Sequence, residues 1–187
     1  MIIRLYKDSD LLYIKKICQD TAINGFDKSD KKRELVYLMY LAYYVEFEKT
    51  NCLVLVDDNG LPHGYIVFST NPKLYEEKMR NYIRKKIFKG SFFVGLFSIF
   101  QDKISFNLNE KYNGGFHINI DKENQGMKYG PKLLDAAAVK IKECGGKYMY
   151  LVTKNKKTKG YPFYIHYGFV EVKKYPFGSL SLKYKLK

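Results

Sequence analysis

Two short stretches of this chain hold residues whose types and spacing could do chemistry. The first is Phe116-His117-Ile118-Asn119-Ile120-Asp121-Lys122-Glu123-Asn124-Gln125-Gly126-Met127-Lys128-Tyr129-Gly130-Pro131-Lys132-Leu133-Leu134. It reads as a strand, a tight polar turn and a helix that opens on glycines. The first-turn N–H groups of a helix have no partner inside it, and with the helix dipole they make a ready phosphate site. A strand feeding such a turn can hold a long cofactor, with the pyrophosphate at the helix start and the arm along the strand. The same residues also fit a plain strand–turn–helix unit, because glycine is common at turns for backbone reasons. The second stretch is Tyr161-Pro162-Phe163-Tyr164-Ile165-His166-Tyr167-Gly168-Phe169. It reads as a short helix stopped by Gly168 in a left-handed C-terminal position, after which Phe169 starts a buried strand, Val170-Glu171-Val172. A tyrosine of ordinary pKa holds its proton at neutral pH and can donate it. In a chain of 18 tyrosines, an aromatic core helix is the alternative.

The remaining segments supply the elements that must position these residues. Met1 to Tyr6 suits an edge strand. Asp8-Ser9-Asp10 can cap a helix with Leu11, Leu12, Ile14, Ile17 and Cys18 on one face. Glu34 to Phe47 is a second, aromatic-rich helical stretch. Cys52-Leu53-Val54-Leu55-Val56 is an apolar strand, Asp57-Asp58-Asn59-Gly60 a turn, and Gly64-Tyr65-Ile66-Val67-Phe68 the returning strand. A helix from Tyr129 to Cys144 ends at Gly145-Gly146. The strand Lys147 to Thr153 follows it, and Leu180 to Lys187 alternates as a closing strand.

The two chemical stretches, in this order and spacing, resemble the GNAT superfamily of acetyl-CoA-dependent N-acetyltransferases. The family's Gln/Arg-x-x-Gly-x-Gly/Ala motif corresponds to Gln125, Lys128 and Gly130, with Lys128 in place of the middle glycine. Tyr161 to Phe169 is similar to the family's Phe-Tyr-x-x-x-Gly-Phe ending. The element order β-α-α-β-β-(insert)-β-α-β-α-β-β is also the family's. Within it, three stretches resemble the bacterial group related to the acetyltransferase-like domain of O-GlcNAc hydrolases. These are Ile17-Cys18-Gln19-Asp20-Thr21, Tyr43-Tyr44-Val45-Glu46-Phe47-Glu48, and His117-Ile118-Asn119-Ile120, where Asn119 replaces an Asp. The resemblance implies an α/β (α+β) fold over residues 1–187, with a mixed central sheet of about six to seven strands flanked by helices. It also implies a roughly forty-residue insertion, 71–114, between the third and fourth strands.

The resemblance further implies transfer of an acetyl group from acetyl-CoA to a primary amine, small-molecule or protein, by direct attack in a ternary complex. The pantetheine arm of CoA is expected along Ile118, Asn119 and Ile120. The pyrophosphate is expected at the N–H groups of Gln125, Gly126, Met127, Lys128, Tyr129 and Gly130, beside Pro131 and Lys132. Pro131 sits just inside the helix, where its missing N–H costs little. Lys128 keeps its N–H, but its Cβ disfavours a left-handed backbone. Asn155 corresponds to an asparagine that often contacts CoA, and Lys156, Lys157 and Lys159 could meet its 3′-phosphate or face water. Tyr164 is the expected general acid to the leaving thiolate. The base is open. His117 titrates in a useful range, or is a structural histidine. Asn119 cannot be a base. Glu46 and Glu48 are alternative amine contacts or solvated surface.

Size and charge bound the other classes. A chain of 187 residues fits one domain with a full core. Cys18, Cys52 and Cys144 read as buried small hydrophobes in a reducing cytoplasm. With His63, His117 and His166 they show no metal spacing, so no metal is expected. No secretory signal is evident. The longest apolar run, Phe92 to Phe100, falls far short of the roughly 20 residues of a bilayer span, so no membrane partner is expected; the run reads as a core or pocket-lining segment, with an interfacial role as the alternative. The net charge of +14 could attract polyanions, CoA among them, or reflect compositional bias. Only four of the 33 basic residues are arginine (Arg4, Arg33, Arg80, Arg84), which disfavours a nucleic-acid reader. The insertion reads as a basic helix, Pro72 to Phe88, followed by the apolar run. It could wall an acceptor pocket, form a dimer contact or add a core layer. Oligomeric state is open between monomer and homodimer. The alternatives to catalysis are a GNAT-like module that only binds CoA, and a basic nucleic-acid-binding protein.

Overall fold

The computed structural model describes residues 1–22, 29–154 and 160–187. Seven strands form one mixed sheet: β1 (Ile2–Leu5), β2 (Cys52–Val56), β3 (Pro62–Ser69), β4 (Gly115–Ile120), β5 (Tyr148–Lys154), β6 (Val170–Lys174) and β7 (Ser179–Lys185). Their spatial order is β1-β2-β3-β4-β5-β7-β6. Neighbours are antiparallel except β4 and β5, which are parallel.

Helices cover both faces, so the central strands are apolar without interruption. Cys52, Val54 and Val56 of β2, with Tyr65 and Val67 of β3, pack under α1 (Leu11–Ala22), α2 (Asp30–Tyr40) and α3 (Ala42–Phe47). Leu53, Leu55, Ile66, Phe68 and Phe116 point the other way, onto α7 (Tyr129–Glu143) and α8 (Gly160–Tyr167). The period of two along each strand thus sorts the core into two layers.

The segment between β3 and β4 folds as a helical hairpin. It comprises α4 (Pro72–Lys78), one π-helical turn at Met79–Ile83, α5 (Arg84–Gly90) and the long α6 (Phe92–Tyr112). Asn71 caps α4, its side-chain oxygen accepting from the Leu74 N–H at 3.0 Å, with Pro72 at the start where no N–H is needed. The base of α6 seats Ile104, Leu108 and Tyr112 against Tyr150 of β5, an added core layer.

Four expectations are corrected. Leu12 is 80% exposed and lies off the apolar face of α1. The Glu34–Phe47 stretch breaks at Leu41 (φ −131°), which buries its own side chain there and starts a second helix. Phe169 is buried, but the strand it opens is the exposed sheet edge, paired on one side only. Cys18 and Cys52 are buried, whereas Cys144 is exposed at the end of α7.

Candidate active site

The site begins where two strands part. β4 pairs with β3 along its whole length, from Gly115 opposite Ser69 to Ile120 opposite Gly64. Its other side meets β5 at one register pair, Gly115 opposite Tyr150. The Tyr150 N–H donates to the Gly114 carbonyl at 3.0 Å, and the pairing ends there. In an antiparallel pair, alternate residues turn their main-chain groups to opposite sides. The Asp121 N–H donates to the His63 carbonyl at 2.9 Å, so Asp121, Asn119 and His117 face β3. Phe116, Ile118 and Ile120 therefore turn their main-chain groups into the gap. Gln125 reaches back, its Nε2 donating to the Ile120 carbonyl at 2.8 Å. Ile118 and Ile120 thus turn their main chain to the gap. Asn119 does not, because its main chain belongs to β3.

The turn after β4 is built by short-range caps. Asp121 Oδ1 accepts from the Asn124 N–H at 3.0 Å and from Asn124 Nδ2 at 2.8 Å. His63 braces the same turn from β3: Nδ1 lies 2.8 Å from Asp121 Oδ2, and Nε2 3.5 Å from Asp57 Oδ2. Partial burial opposes charge on that ring, but hydrogen bonds to Asp121 and Asp57 outweigh it and raise its pKa above the ordinary value. Sequence spacing gave no role to His63, since its nearest partner, Asp121, is remote in sequence and meets it only through the β3–β4 pairing. Gly126 sits at φ +83° and Lys128 at φ +61°, ψ 17°. Lys128 thus adopts the left-handed backbone that the family's glycine would adopt freely, with its side chain in solvent. Met127 is exposed, Tyr129 starts α7 with Lys132 Nζ 5.6 Å over its ring, and Pro131 lies in the first helical turn. Gly130 is buried. A Cβ there would lie 2.9 Å from Phe163 Cζ, so glycine lets α8 close onto the start of α7.

That contact positions Tyr164. The Tyr167 hydroxyl fastens α8 to α7, donating to Asp135 Oδ1 at 2.6 Å. The Tyr164 ring then packs edge-on against Phe116, 6.2 Å between centroids, and against Phe169 at 5.5 Å. Among the described residues its hydroxyl has no hydrogen-bond partner, and burial raises its pKa well above the ordinary tyrosine value. It is a retained proton at the mouth of the gap.

On the opposite face, His117 lies between Tyr40 and Tyr44, with ring centroids at 5.3 and 5.8 Å. Burial there pushes its pKa down to about 4, leaving a neutral ring at pH 7. Asn119 is committed elsewhere. Its Oδ1 accepts from Thr21 Oγ1 at 2.9 Å and its Nδ2 donates to the Tyr65 hydroxyl at 2.7 Å, which ties the end of α1 to β3 and β4.

Glu48 is buried, contrary to a solvated reading. Its Oε1 accepts from Asn51 Nδ2 at 3.0 Å and from the Thr70 N–H at 3.2 Å. The Tyr43 hydroxyl lies beside Glu48 and Ser69, and burial with that carboxylate raises the Tyr43 pKa. Tyr43, Tyr44 and Tyr75 stack together, which joins this polar cluster to His117 through aromatic contacts. Glu46 instead faces Lys86 at 3.4 Å, in a groove of about 720 Å³ beside Tyr6, Tyr37 and Tyr82 on the β1 side of the sheet. Asn155, Lys156, Lys157 and Lys159 lie outside the described residues. Among the described residues no His, Cys, Asp and Glu cluster could hold a metal ion.

The sequence matches no protein-family model and no curated protein. Solved structures do match, over the whole chain. SsHAT superposes with a TM-score of 0.85 at 20% identity, covering 100% of this chain and 98% of that one. An acetyltransferase of the GNAT family from Listeria monocytogenes 4b F2365 gives 0.57 at 13% identity, with 99% and 94% covered. The chain has the GNAT acetyltransferase fold. A third structure, the acetyltransferase yncA from Salmonella typhimurium with its cofactor acetyl-CoA, gives 0.59 at 16% identity over 100% and 94% of the two chains. On this GNAT fold the parted strands, the turn at 121–130 and the aromatic helix α8 meet at one place, although they are far apart in sequence.

Proposed function

We propose that this chain transfers an acetyl group from acetyl-CoA to a primary amine, by direct attack with both substrates bound. The observation that carries the proposal is the parting of β4 and β5 at Phe116, with Tyr164 resting on Phe116 and its hydroxyl unengaged among the described residues. A strand edge with free main-chain groups suits an extended chain of amides, and Phe116 and Ile118 supply that edge. The open, exposed turn from Gln125 to Lys128 leads into the first turn of α7, whose donors have no helical partner and suit a pyrophosphate. Side chains there stay out of the way: Lys128 points to solvent, and Gly130 has none.

Acetyl-CoA supplies the thioester when bound. In this reading Tyr164 Oη gives its proton to the leaving sulfur as the carbon–sulfur bond breaks and the new carbon–nitrogen bond forms. A raised pKa keeps that proton in place until the sulfur needs it. His117 accepts a hydrogen bond from the incoming amine and holds it on the far side of the sheet from Tyr164. With a pKa of about 4 it is an orienting acceptor rather than a strong base, so the amine proton leaves through water. Asn119 holds α1 in place. Kinship with the O-GlcNAc-hydrolase-associated group is part of the same proposal and rests on the three stretches named above.

A second reading, a module that binds CoA without turnover, is favoured by one observation, the strained Lys128. Calorimetric titration with acetyl-CoA and CoA, followed by an amine screen, separates the two. Binding with turnover that collapses in Tyr164→Phe supports the enzyme. Binding without turnover for any amine supports the module. Absence of binding at millimolar ligand defeats both.

A further inference from the structure

The hairpin between β3 and β4 ends in an unusual surface. Phe92, Phe93, Leu96, Phe97 and Ile99 are all exposed, Phe93 by 81% and Phe92 by 62%. Phe92, Leu96 and Ile99 follow at helical spacing, and Phe93 and Phe97 form the adjacent row, so the five make one continuous apolar face over the first two turns of α6. A single exposed leucine needs no explanation, but a contiguous apolar patch marks an interaction surface.

The other face of α6 fixes this one in place. Phe88 of α5 packs onto Gly95, where a Cβ would sit 2.5 Å from its ring. Arg84 donates from Nε at 3.0 Å and from a terminal nitrogen at 2.5 Å to Asp102 Oδ2, and Asp102 is buried. The patch is therefore presented by a braced hairpin rather than a loose end. Lys89 lies on α5 just before the hairpin turn, Lys85 one helical turn earlier, and Lys103 one turn beyond Ile99 on α6, all three exposed. Among the described residues none of the three has a carboxylate partner. Asp102 is the sole acid between Arg84 and Lys103, and Arg84 already neutralises it.

We propose that this hairpin tip docks on an anionic lipid surface, with its aromatic and aliphatic side chains entering the headgroup boundary and its lysines meeting lipid phosphates. Phenylalanine beside lysine is the pairing that an interfacial helix uses, apolar area supplying insertion and cations supplying attraction. A second copy fits less well. Two-fold pairing of the face would set like lysine clusters of two chains, each of net charge +14, against each other. A nucleic acid fits less well too, because Leu96 and Ile99 offer no stacking plane. Docking here is peripheral: among the described residues no helix is long and apolar enough to cross a membrane. The proposal stands apart from the acetyl-transfer reading.

The chain has no tryptophan, so Phe93→Trp in the full chain gives a reporter at the patch. It is titrated with phosphatidylcholine vesicles, with and without phosphatidylserine. A blue shift of emission confined to the phosphatidylserine vesicles is expected, together with co-sedimentation that weakens as salt rises. Phe93→Ser/Leu96→Ser and, separately, Lys85→Glu/Lys89→Glu should each weaken co-sedimentation by roughly tenfold or more. The lysine pair keeps the test decisive if the serine pair fails to fold. No shift and no co-sedimentation overturns the proposal. So does a concentration-dependent dimer in sedimentation equilibrium that Phe93→Ser/Leu96→Ser abolishes, since that assigns the face to a second copy. Binding of generic RNA that displaces the vesicles and is unaffected by the serine pair overturns it as well.

Discussion

His117 and Tyr164 approach β4 from opposite faces. His117 sits on the α1–α3 face against Tyr40 and Tyr44, whereas Tyr164 reaches the α7–α8 face through Phe116, the next residue along the same strand. A proton delivered from one side and an amine held on the other need not share a path. The period of two along β4 produces this separation.

Tyr164→Phe tests the acid side. The ring contacts with Phe116 and Phe169 survive the change, so fold and CoA affinity should hold. Turnover should fall by roughly a hundredfold or more, the usual worth of a general acid. Steady-state kinetics beside calorimetry reads both quantities, and unchanged turnover would remove Tyr164 from the mechanism.

Lys128 carries a left-handed backbone at φ +61° with a Cβ that disfavours it. Lys128→Gly should stabilise the protein by about 1 kcal/mol, which is a rise of roughly 2–4 °C in Tm for a chain of this size. Lys128→Ala keeps the Cβ and should give no such gain. Equal behaviour of the two variants in thermal melts would show that charge, not backbone strain, matters at this position.

How much of this was legible in the sequence depended on distance along the chain. Tyr164 and Gly168 lie within one short motif whose parts touch each other, so their order told their placement. The left-handed turn at Lys128 was legible for the same reason, as a glycine missing from a local pattern. Glu48 was not, because its burial depends on Thr70 and Ser69 from the far end of the neighbouring strand. The bonds that Asn119 makes were not legible, because its partners, Thr21 and Tyr65, are remote in sequence and meet it only through the sheet. The break at Leu41 was hidden by a helical period that runs straight through it, and tertiary packing overrode that period.

Asn119 holds together three elements, and its substitutions should separate fold from chemistry. Asn119→Ala removes the amide that donates to the fully buried Tyr65 hydroxyl, while the Thr21 hydroxyl keeps the Ile17 carbonyl as acceptor, at a cost of about 1–3 kcal/mol. Asn119→Asp should be tolerated far better, since both hydroxyls can donate to a carboxylate. Chemical denaturation of the two variants decides the matter. An aspartate variant as unstable as the alanine one would mean that the amide donor to Tyr65 is indispensable.

The two braced histidines should pull stability in opposite directions with pH. His117 has its folded pKa lowered from 6.5 to about 4, so between these values the unfolded chain binds more protons. Stability is therefore lost as pH falls from 6.5 towards 4, by up to about 3 kcal/mol if the shift is fully expressed. His63 has its folded pKa raised by Asp121 and Asp57, so its contribution is full below the unfolded pKa and fades as pH climbs through the folded one. His117→Phe, which keeps an aromatic ring between Tyr40 and Tyr44 and removes the titration, should flatten the acid side of a stability profile. His63→Gln should leave the acid side as in the parent and remove the loss of stability that sets in as pH climbs above 6.5. Both profiles come from denaturant melts across pH 4 to 8. A His117→Phe variant with the parent's acid slope would show that carboxylates elsewhere set it, and that His117 is less enclosed than its contacts with Tyr40 and Tyr44 indicate.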